Sequence, residues 1–236
     1  MLTPIHPLTC KQIPSIFMDK MDKKERYKAF IKYLRSEPPP RKTELTYGTP
    51  FQLLVAVVLG ARCTDKRVNH CTPLLFEAFP TASHLAKASF NEVKQYIKSI
   101  SYSSKKTKFL LNMAHQIVTA FQNKIPSSVT ALQTLPGVGR KAANAIASIL
   151  YNKPTIVVDT HVFRVAKRIG LASCLAKTPL MVEKELMAHL PIKHRQIASQ
   201  WMVLHGRYIC RARRVQCAQC PITNFCVYFQ NDQHEI

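Results

Sequence analysis

The segment LPGVGRKAANAIASILYN, residues 135–152, joins a proline–glycine turn to the beginning of a helix. Gly137 and Gly139 favour a tight turn, and the alanine- and isoleucine-rich residues after them favour a helix that begins near Arg140. The first N–H groups of a helix have no partner within it and lie at the positive end of its dipole, so this turn suits a phosphate. On these residues alone, a plain loop between two structural helices is the alternative.

A second, shorter helix is predicted directly before the turn, because Ser127 and Ser128 can cap the sequence SVTALQTL. Two helices joined by LPGVG form a helix-hairpin-helix, a module that contacts the phosphodiester backbone through its turn amides without reading the base sequence. Lys141 follows in the first turn of the second helix, where it is either a phosphate contact or, once deprotonated, a nucleophile. The residues predicted to contact DNA here are Gly137, Val138, Gly139 and Arg140.

The segment VVDTHVFRVAKR, residues 157–168, supplies a candidate carboxylate. Asp159 precedes a helix predicted to begin near Thr160, and an aspartate in that position is most often only a helix cap. The carboxylate would also lie against the basic face of that helix, where it stays ionised and can act as a base or stabilise a cationic sugar transition state. The residues of this basic face are His161, Arg164, Lys167 and Arg168.

The charge of the chain indicates a polyanionic partner. Its 236 residues include 34 Lys and Arg against 13 Asp and Glu, a formal net charge of +21. Such a field attracts nucleic acid through counterion release, although charge alone does not distinguish nucleic acid from ribosomes or acidic lipids. The longest apolar run, FQLLVAVVLGA at residues 51–61, is too short to span a membrane. We therefore expect a cytoplasmic protein without a membrane partner, with residues 1–17 as a disordered extension and Met18 or Met21 as alternative starts.

The sequence predicts an all-α fold. Thr49 and Pro50 supply an N-cap and a first-turn proline for a buried helix, and an apolar stripe of helical spacing lies within residues 27–34. The only β-like run, TIVVD at residues 155–159, has no second strand to pair with and is predicted to be an extended connector. Further helices are predicted over residues 65–79, 89–99, 104–123, 139–151, 159–169, 178–190 and 193–209.

The eight cysteines divide into two groups. Four are scattered, and each is predicted to be a small buried hydrophobic residue: Cys10, Cys63, Cys71 and Cys174. The other four lie close together, with six, two and five residues between them: Cys210, Cys217, Cys220 and Cys226. Four thiolates in one short loop suit either tetrahedral zinc or a four-iron cluster, and the spacing alone does not choose between them.

The three motifs LPGVGRKAANAI, VVDTHVFRVAKR and the four-cysteine loop closely resemble the endonuclease III family of bifunctional DNA glycosylases and AP lyases. The resemblance extends over about residues 22–228 and implies a two-lobed, all-α fold with lesion-containing DNA in the groove between the lobes. One lobe would be a helical barrel of residues 43–153 that includes the helix-hairpin-helix at about 128–151. The other would join residues 18–42 to residues 154–236, which contain the cysteine loop.

The resemblance also implies the chemistry. In the family, the lysine at the position of Lys141 attacks C1′ of the damaged nucleotide, expels the base and forms a Schiff base that eliminates the 3′ phosphate. The aspartate at the position of Asp159 assists, and the cysteine loop, residues 210–226, holds a [4Fe-4S] cluster. The implied substrate is double-stranded DNA with oxidised or ring-saturated pyrimidines or abasic sites, and we expect a monomer. A rigid cluster would present three arginines to phosphates: Arg211, Arg213 and Arg214.

Two loops depart from the family pattern. Family members commonly have glutamine where this chain has Arg62, and a glycine followed by a bulky residue where it has Ser101 and Tyr102. Arg62 is predicted to fill the gap left by an extruded base, and Tyr102 is predicted to act as a wedge. His161 is a further predicted DNA contact, and Asp65 is expected to cap the helix that follows it.

Two other functions stay open at this point. A non-catalytic binder of DNA or structured RNA, built from a helix-hairpin-helix and a zinc module, would explain the charge, the hairpin and the cysteines. It would make the spacing of Lys141 and Asp159 a coincidence. The second alternative is a glycosylase without lyase activity. Related adenine glycosylases lack a lysine at the position of Lys141, so its presence favours the lyase-competent branch.

Overall fold

The computed structural model describes residues 21–38, 40 and 43–232. These residues contain no β-strand beyond one isolated antiparallel bridge, between Cys210 and Val215, so the predicted all-α class is confirmed. The run TIVVD has no partner strand and forms the expected extended connector. Within the described chain, none of the helices has the length and apolar character needed to span a bilayer. The predicted extension at residues 1–17 and the scattered Cys10 lie outside the described residues.

The described residues form twelve α-helices and two short 3-10 helices. The α-helices are α1 Lys23–Ser36, α2 Pro50–Gly60, α3 Asp65–Ala78, α4 Ala82–Lys87, α5 Phe90–Tyr96, α6 Ser103–Phe121, α7 Val129–Gln133, α8 Arg140–Tyr151, α9 Thr160–Ile169, α10 Pro179–His189, α11 Ile192–Tyr208 and α12 Val227–Asp232. The 3-10 helices are Cys217–Gln219 and Thr223–Phe225. All seven further helices expected from the sequence are present, with ends shifted by at most three residues. The sequence analysis missed α4 and α12, because a six-residue helix offers too few turns for an apolar period.

The chain forms two compact units. The hairpin unit contains the described residues between Arg41 and Thr155, and the cysteine unit contains those up to Pro40 and from Ile156 onward. Each unit has its own apolar core.

In the hairpin unit, α2 is the buried central helix that the sequence predicts. Thr49 caps it, because its Oγ1 accepts a hydrogen bond from the Gln52 amide at 3.2 Å, and Pro50 is its first residue. Leu54 and Leu59 are completely buried. Helix α6 packs on α2, α4 and α5, while α8 packs on α2 and α7. Both helices of the hairpin, α7 and α8, therefore belong to one packed core.

In the cysteine unit, α9 packs along α11, and α1 packs on α11 beside them. Trp201 of α11 lies against the rings of Phe30 and Tyr33 of α1 at centroid distances of 5.4 and 5.3 Å. Gly206 of α11 lies close to α9. A Cβ on Gly206 would lie 2.8 Å from the Cβ of His161, so this approach requires a glycine.

Arg26 ties α1 to the last segment of the described chain. Its side chain is only 2% exposed, and its Nε donates a hydrogen bond to the Phe225 carbonyl at 3.1 Å. A second guanidinium nitrogen, Nη2, donates to the Met21 carbonyl at 2.8 Å. The neighbouring Tyr27 hydroxyl donates to the Leu171 carbonyl at 2.7 Å. The buried bonds to Phe225 and Leu171 hold α1 against parts of the chain that are far from it in sequence.

Two expectations about single residues are wrong. Asp65 does not cap α3, because Thr64 occupies the cap position and accepts from the Arg67 amide at 3.3 Å; Asp65 is the first helical residue. Cys174 is exposed rather than buried, because it lies in the connection between α9 and α10, next to the 69% exposed Leu175. Cys71 is buried as predicted, and Cys63 is partly buried.

We expect Gly206→Ala to destabilise the cysteine unit by about 1–3 kcal/mol, because the new methyl group would push α11 away from α9. Gly60→Ala is the matched control. A Cβ at Gly60 meets no atom within 4 Å, so the alanine should stabilise the last turn of α2 by about 0.5 kcal/mol. Urea unfolding of both variants measures the difference. Equal stability of the two proteins would contradict the close approach of the helices.

Candidate active site

The hairpin turn is held against the core of its unit by a glycine in the left-handed region. Gly137 has a φ of +84°, which side chains of L-residues disfavour. A Cβ there would also lie 3.1 Å from Phe109 of α6 and 3.1 Å from Val58 of α2. Val138 is 5% exposed, and its amide donates to the Leu135 carbonyl at 3.0 Å. The turn therefore packs directly on α2 and α6.

Helix α8 begins at this turn with an uncapped N-terminus. Gly139 is its N-cap residue, so there is no N-cap side chain to accept a hydrogen bond from the first amides. Gly139 and Arg140 are exposed, and a Cβ at Gly139 would meet nothing within 4 Å. Amides without intrahelical partners, at the positive end of the helix dipole, form a surface that fits a phosphate.

Lys141 is the second residue of α8 and is exposed. Its side chain has no hydrogen-bond or ion-pair partner among the residues that the structure describes. A lysine in a structural role normally covers an apolar surface or pairs with a carboxylate or a carbonyl. The geometry therefore leaves the amine of Lys141 open to a ligand that binds at the turn.

Asp159 is the N-cap of α9, as one interpretation of the sequence predicts. Its Oδ1 accepts from the amides of His161 and Val162, both at 2.8 Å. The second oxygen, Oδ2, has no hydrogen-bond partner within the described chain. The two amide donors fix the position of Oδ1, and the second oxygen can still face a cationic group. Asp159 belongs to the cysteine unit and Lys141 to the hairpin unit.

The basic face of α9 is directed largely at its own unit. Arg164 donates from Nε to the Cys210 carbonyl at 3.0 Å and from Nη2 to the Gly206 carbonyl at 2.8 Å. The same Nη2 lies 3.2 Å from Nδ1 of His161. Burial lowers the pKa of the Arg164 guanidinium, and Asp159 is one of the groups that raise it. Arg164 is thus the part of the predicted basic face that interacts with the carboxylate, and it also fixes the end of α11.

Arg168, one turn further along α9, holds the beginning of the cysteine loop. Its Nη1 donates to the Arg211 carbonyl at 2.7 Å and lies 3.4 Å from the Sγ of Cys210. Its Nη2 donates to the Ala212 carbonyl at 3.2 Å, and its guanidinium lies 4.7 Å from the ring centre of Tyr228. The sequence analysis did not foresee this role, although the four-residue spacing of Arg164 and Arg168 places both on one helix face.

The four cysteines of the loop have different environments. Burial raises the pKa of the Cys226 thiol to about 12, and the nearby thiols of Cys220 and Cys210 contribute. Burial also raises the pKa of the Cys220 thiol, and the nearby thiols of Cys217 and Cys210 raise it further. The thiols are thus close enough to interact electrostatically. No group of three or more His, Cys, Asp or Glu side chains in the described chain is arranged to hold a metal ion.

His205 of α11 lies beside the cysteine loop. Its ring stacks on Trp201 at 4.4 Å, and its Nε2 lies 3.7 Å from the Sγ of Cys220. Burial lowers the pKa of the imidazole to about 4, so the ring is neutral at pH 7. A neutral ring that places N–H at Nε2 can donate to a thiolate at Cys220.

The predicted phosphate contacts of the loop are exposed. They are Arg211, Arg213 and Arg214. The backbone beneath them is fixed by the Cys210–Val215 bridge and by a hydrogen bond of 3.1 Å from the Gln216 amide to the Ile209 carbonyl. The loop thus presents three cations on a short, closed backbone.

The two predicted base-contacting residues, Arg62 and Tyr102, lie together in the hairpin unit. Arg62 follows α2 and Tyr102 precedes α6, and the Nη1 of Arg62 donates to the Tyr102 hydroxyl at 3.3 Å. Both are exposed, and both have positive φ values, 53° and 58°. The sequence analysis treated the two loops separately and gave no signal of this contact.

Comparison with known proteins relates the chain to one family of repair enzymes. Residues 55–191 match the family described as HhH-GPD superfamily base excision DNA repair protein. The chain is 42% identical over 208 residues to the endonuclease III of Buchnera aphidicola subsp. Schizaphis graminum. The aligned region covers 88% of this chain and 98% of that protein. It is 44% identical over 204 residues to the endonuclease III of Rickettsia prowazekii, across 86% of this chain and 95% of the relative.

Comparison with solved structures indicates the same family. A non-covalent endonuclease III–DNA complex matches 91% of this chain and 100% of its own, with a TM-score of 0.83 and 34% identity. A trapped covalent endonuclease III–DNA intermediate, the estranged-adenine complex, matches 90% of this chain and 99% of its own, with a TM-score of 0.80 and 33% identity.

Replacement of Arg168 by glutamine should loosen the cysteine loop, because the charged hydrogen bonds to the Arg211 and Ala212 carbonyls are lost. Bonds to a charged group contribute about 1.5–3 kcal/mol, so amide exchange in residues 210–216 should accelerate at least roughly tenfold. Hydrogen exchange followed by mass spectrometry measures this rate. Arg213→Gln, which removes an exposed side chain of the same loop, should leave the rate unchanged. Similar acceleration in both variants would contradict the role of Arg168.

Proposed function

The chain belongs to the HhH-GPD superfamily of base excision DNA repair proteins and, within it, to the endonuclease III family, and we propose that Lys141 is its catalytic nucleophile. The protein is a DNA glycosylase and AP lyase. The single observation that supports Lys141 is its position: an exposed amine with no partner among the described residues, one residue from a turn that fits a phosphate. A substrate phosphate bound at that turn would place a sugar within reach of the side chain.

The proposed reaction divides into four steps. The neutral amine of Lys141 attacks C1′, a carbon–nitrogen bond forms, and the glycosidic bond breaks as the base leaves with a proton. The sugar ring then opens to a Schiff base, a protonated imine between Lys141 and C1′. Loss of a proton from C2′ breaks the bond between C3′ and its oxygen, so the 3′ phosphate leaves by β-elimination. Water hydrolyses the imine and restores the lysine.

We assign Asp159 the supporting role. Its Oδ1 is fixed by two amides of α9, which holds the carboxylate in one orientation. The open Oδ2 is the atom that would act as a base or stabilise the positive charge that develops on the sugar. The carboxylate can do so without disturbing the cap, since the two functions use different oxygens.

The remaining contacts divide between the DNA backbone and the bases. Backbone contacts would come from the turn at residues 137–140 and from the exposed arginines of the cysteine loop. Arg62 and Tyr102 would occupy the space left by the extruded nucleotide, where a guanidinium can donate to the opposite base and an aromatic ring can stack. His161 would contribute a further DNA contact near Asp159. The net charge of +21 supplies the long-range attraction to the duplex.

The four cysteines of residues 210–226 would hold a [4Fe-4S] cluster. The donor set fits this group, since it consists of four thiols in one closed loop, with Arg168 donating toward Cys210 and His205 adjacent to Cys220. Buried thiols such as Cys226 lose their protons only when a cation compensates the charge. When bound, the cluster supplies a rigid cross-link with electron-transfer capacity. The loop residues then hold their arginines in fixed positions toward phosphate.

The proposed substrates are duplex DNA with oxidised or ring-saturated pyrimidines, such as thymine glycol, and duplex DNA with abasic sites. The proposed active form is a monomer. Both follow from the family, since its members share the lysine motif, the aspartate motif and the cysteine loop with this chain.

Borohydride trapping tests the nucleophile. Wild-type protein, incubated with a duplex that contains one thymine glycol and then reduced, should give a covalent protein–DNA band. Lys141→Ala should lose this band and should lose strand cleavage by at least roughly a thousandfold, while duplex binding is nearly unchanged because the turn amides remain. Lys153→Ala, which removes an exposed lysine just beyond the C-terminus of α8, should retain both activities.

Three results would contradict this assignment in different ways. A band that persists in Lys141→Ala would assign the nucleophile to another amine. Base release by the wild type without a band would indicate a glycosylase that lacks lyase activity. Binding with neither a band nor base release would favour the architectural binder.

Cys220→Ser tests the cluster. The purified variant should contain less iron and sulfide than the wild type and bind duplex DNA more weakly, since the loop that presents the arginines is no longer cross-linked. Cys174→Ser is the matched control, because Cys174 is exposed and lies outside the loop. A colourless wild-type protein that contains zinc, or a Cys220→Ser variant with full iron content, would contradict the proposed cluster.

A further inference from the structure

We propose that Lys106 is a positioning residue that joins the Arg62 turn, residues 61–63, to the Tyr102 turn, residues 97–102, so that Arg62 and Tyr102 recognise the base opposite the lesion as one unit. This inference rests on the proposed function, since it takes both side chains to contact DNA. It adds Lys106, which does not contact DNA itself but supports the two residues that do. It also makes the preference for the opposite base depend on Arg62 and Tyr102 together.

The backbone of both turns needs an external restraint. Arg62 and Tyr102 have φ values of 53° and 58°, in the left-handed region that residues other than glycine rarely adopt. Such conformations persist where the surrounding structure fixes them, and they cluster at functional sites. Both side chains are exposed, so their own packing does not supply the restraint.

The Lys106 side chain restrains the Arg62 turn. Lys106 is only 4% exposed, and its Nζ donates to the Leu59 carbonyl at 2.8 Å and to the Ala61 carbonyl at 2.6 Å. These oxygens end α2, where the helix dipole is negative and the last carbonyls have no intrahelical partner. The ammonium thus takes the place of a C-cap and holds the residue next to Arg62. Burial lowers the pKa of this ammonium, and the thiols of Cys63 and Cys71 raise it.

The Lys106 backbone restrains the Tyr102 turn at the same time. Its amide donates to the Tyr102 carbonyl at 3.0 Å, which is the first hydrogen bond of α6. Tyr102 is the N-cap of α6 but makes no side-chain capping bond, so this backbone bond defines where the helix begins. One residue therefore bonds both turns, through its side chain on one side and its amide on the other.

The contact between Arg62 and Tyr102 closes a ring of interactions. Nη1 of Arg62 donates to the Tyr102 hydroxyl at 3.3 Å, and the guanidinium lies 5.8 Å from the centre of the Tyr102 ring. From Ala61 the ring continues through Lys106 to Tyr102 and back to Arg62. A guanidinium held by one N–H offers its others in a fixed direction, and fixed donors discriminate between bases better than mobile ones do. The Tyr102 side chain is 61% exposed and leaves a face free for stacking on a base.

A double-mutant cycle measures this coupling. The measured quantity is the ratio of single-turnover cleavage rates for a damaged pyrimidine opposite adenine and opposite guanine. Arg62→Ala and Tyr102→Phe should each change the ratio, and the double variant should change it no further. The ratio of the double variant should therefore differ by at least about threefold from the value expected if the two single effects were independent. In a Lys106→Met background the two effects should become additive. Lys108→Met, an exposed lysine on the same helix, should preserve the coupling. A ratio is insensitive to the fraction of folded enzyme, since loss of folded protein lowers both rates equally.

Two results would overturn the proposal. One is additive effects of Arg62→Ala and Tyr102→Phe in the wild-type background, and the other is undiminished coupling in Lys106→Met. If Lys106→Met does not fold, Lys106→Gln replaces it, and the wild-type cycle still decides whether the pair is coupled. Borohydride trapping separates this outcome from failure of the proposed function. A trapped band with additive effects rejects only the coupling, whereas no band and no base release reject the function itself.

Discussion

The contact of Gly137 with the core of the hairpin unit is the constraint from which the arrangement around Lys141 follows. The left-handed backbone at this residue and the nearness of Phe109 and Val58 leave no room for a side chain. The turn is therefore pressed onto α2 and α6, and α8 leaves it in one direction only. That direction fixes the uncapped amides and the lysine together, so the position of the phosphate site and that of the amine cannot vary independently.

Helix α9 has a comparable role in the cysteine unit. Its first residues are capped by Asp159, and its later turns hold the cysteine loop through Arg164 and Arg168. A candidate catalytic carboxylate and the loop with three exposed arginines are thus oriented by one ten-residue helix. The close packing of α9 on α11 at Gly206 makes this helix a rigid support, because a helix that cannot rotate keeps both of its ends in register.

The sequence was sufficient where local chemistry decides the structure. The caps at Thr49 and Asp159 and the turn at Gly137 follow from the preferences of single residues, and the all-α class follows from the absence of a second β-like run. It was not sufficient where a side chain takes a distant partner. Arg168 and Lys106 resemble any surface cation in sequence, and only the folded chain shows which carbonyls they reach. The error at Cys174 has the same origin, since burial depends on the surrounding turn rather than on residue type.

The bond between Arg26 and Phe225 spans 199 positions of the chain and has a consequence for synthesis. Helix α1 is made before the hairpin unit, but its buried partners in the cysteine unit are made after it. The hairpin unit lies between them in sequence and can form its own core during translation. A nascent chain therefore carries an unpaired amphipathic α1 until the residues that follow the hairpin unit have been made.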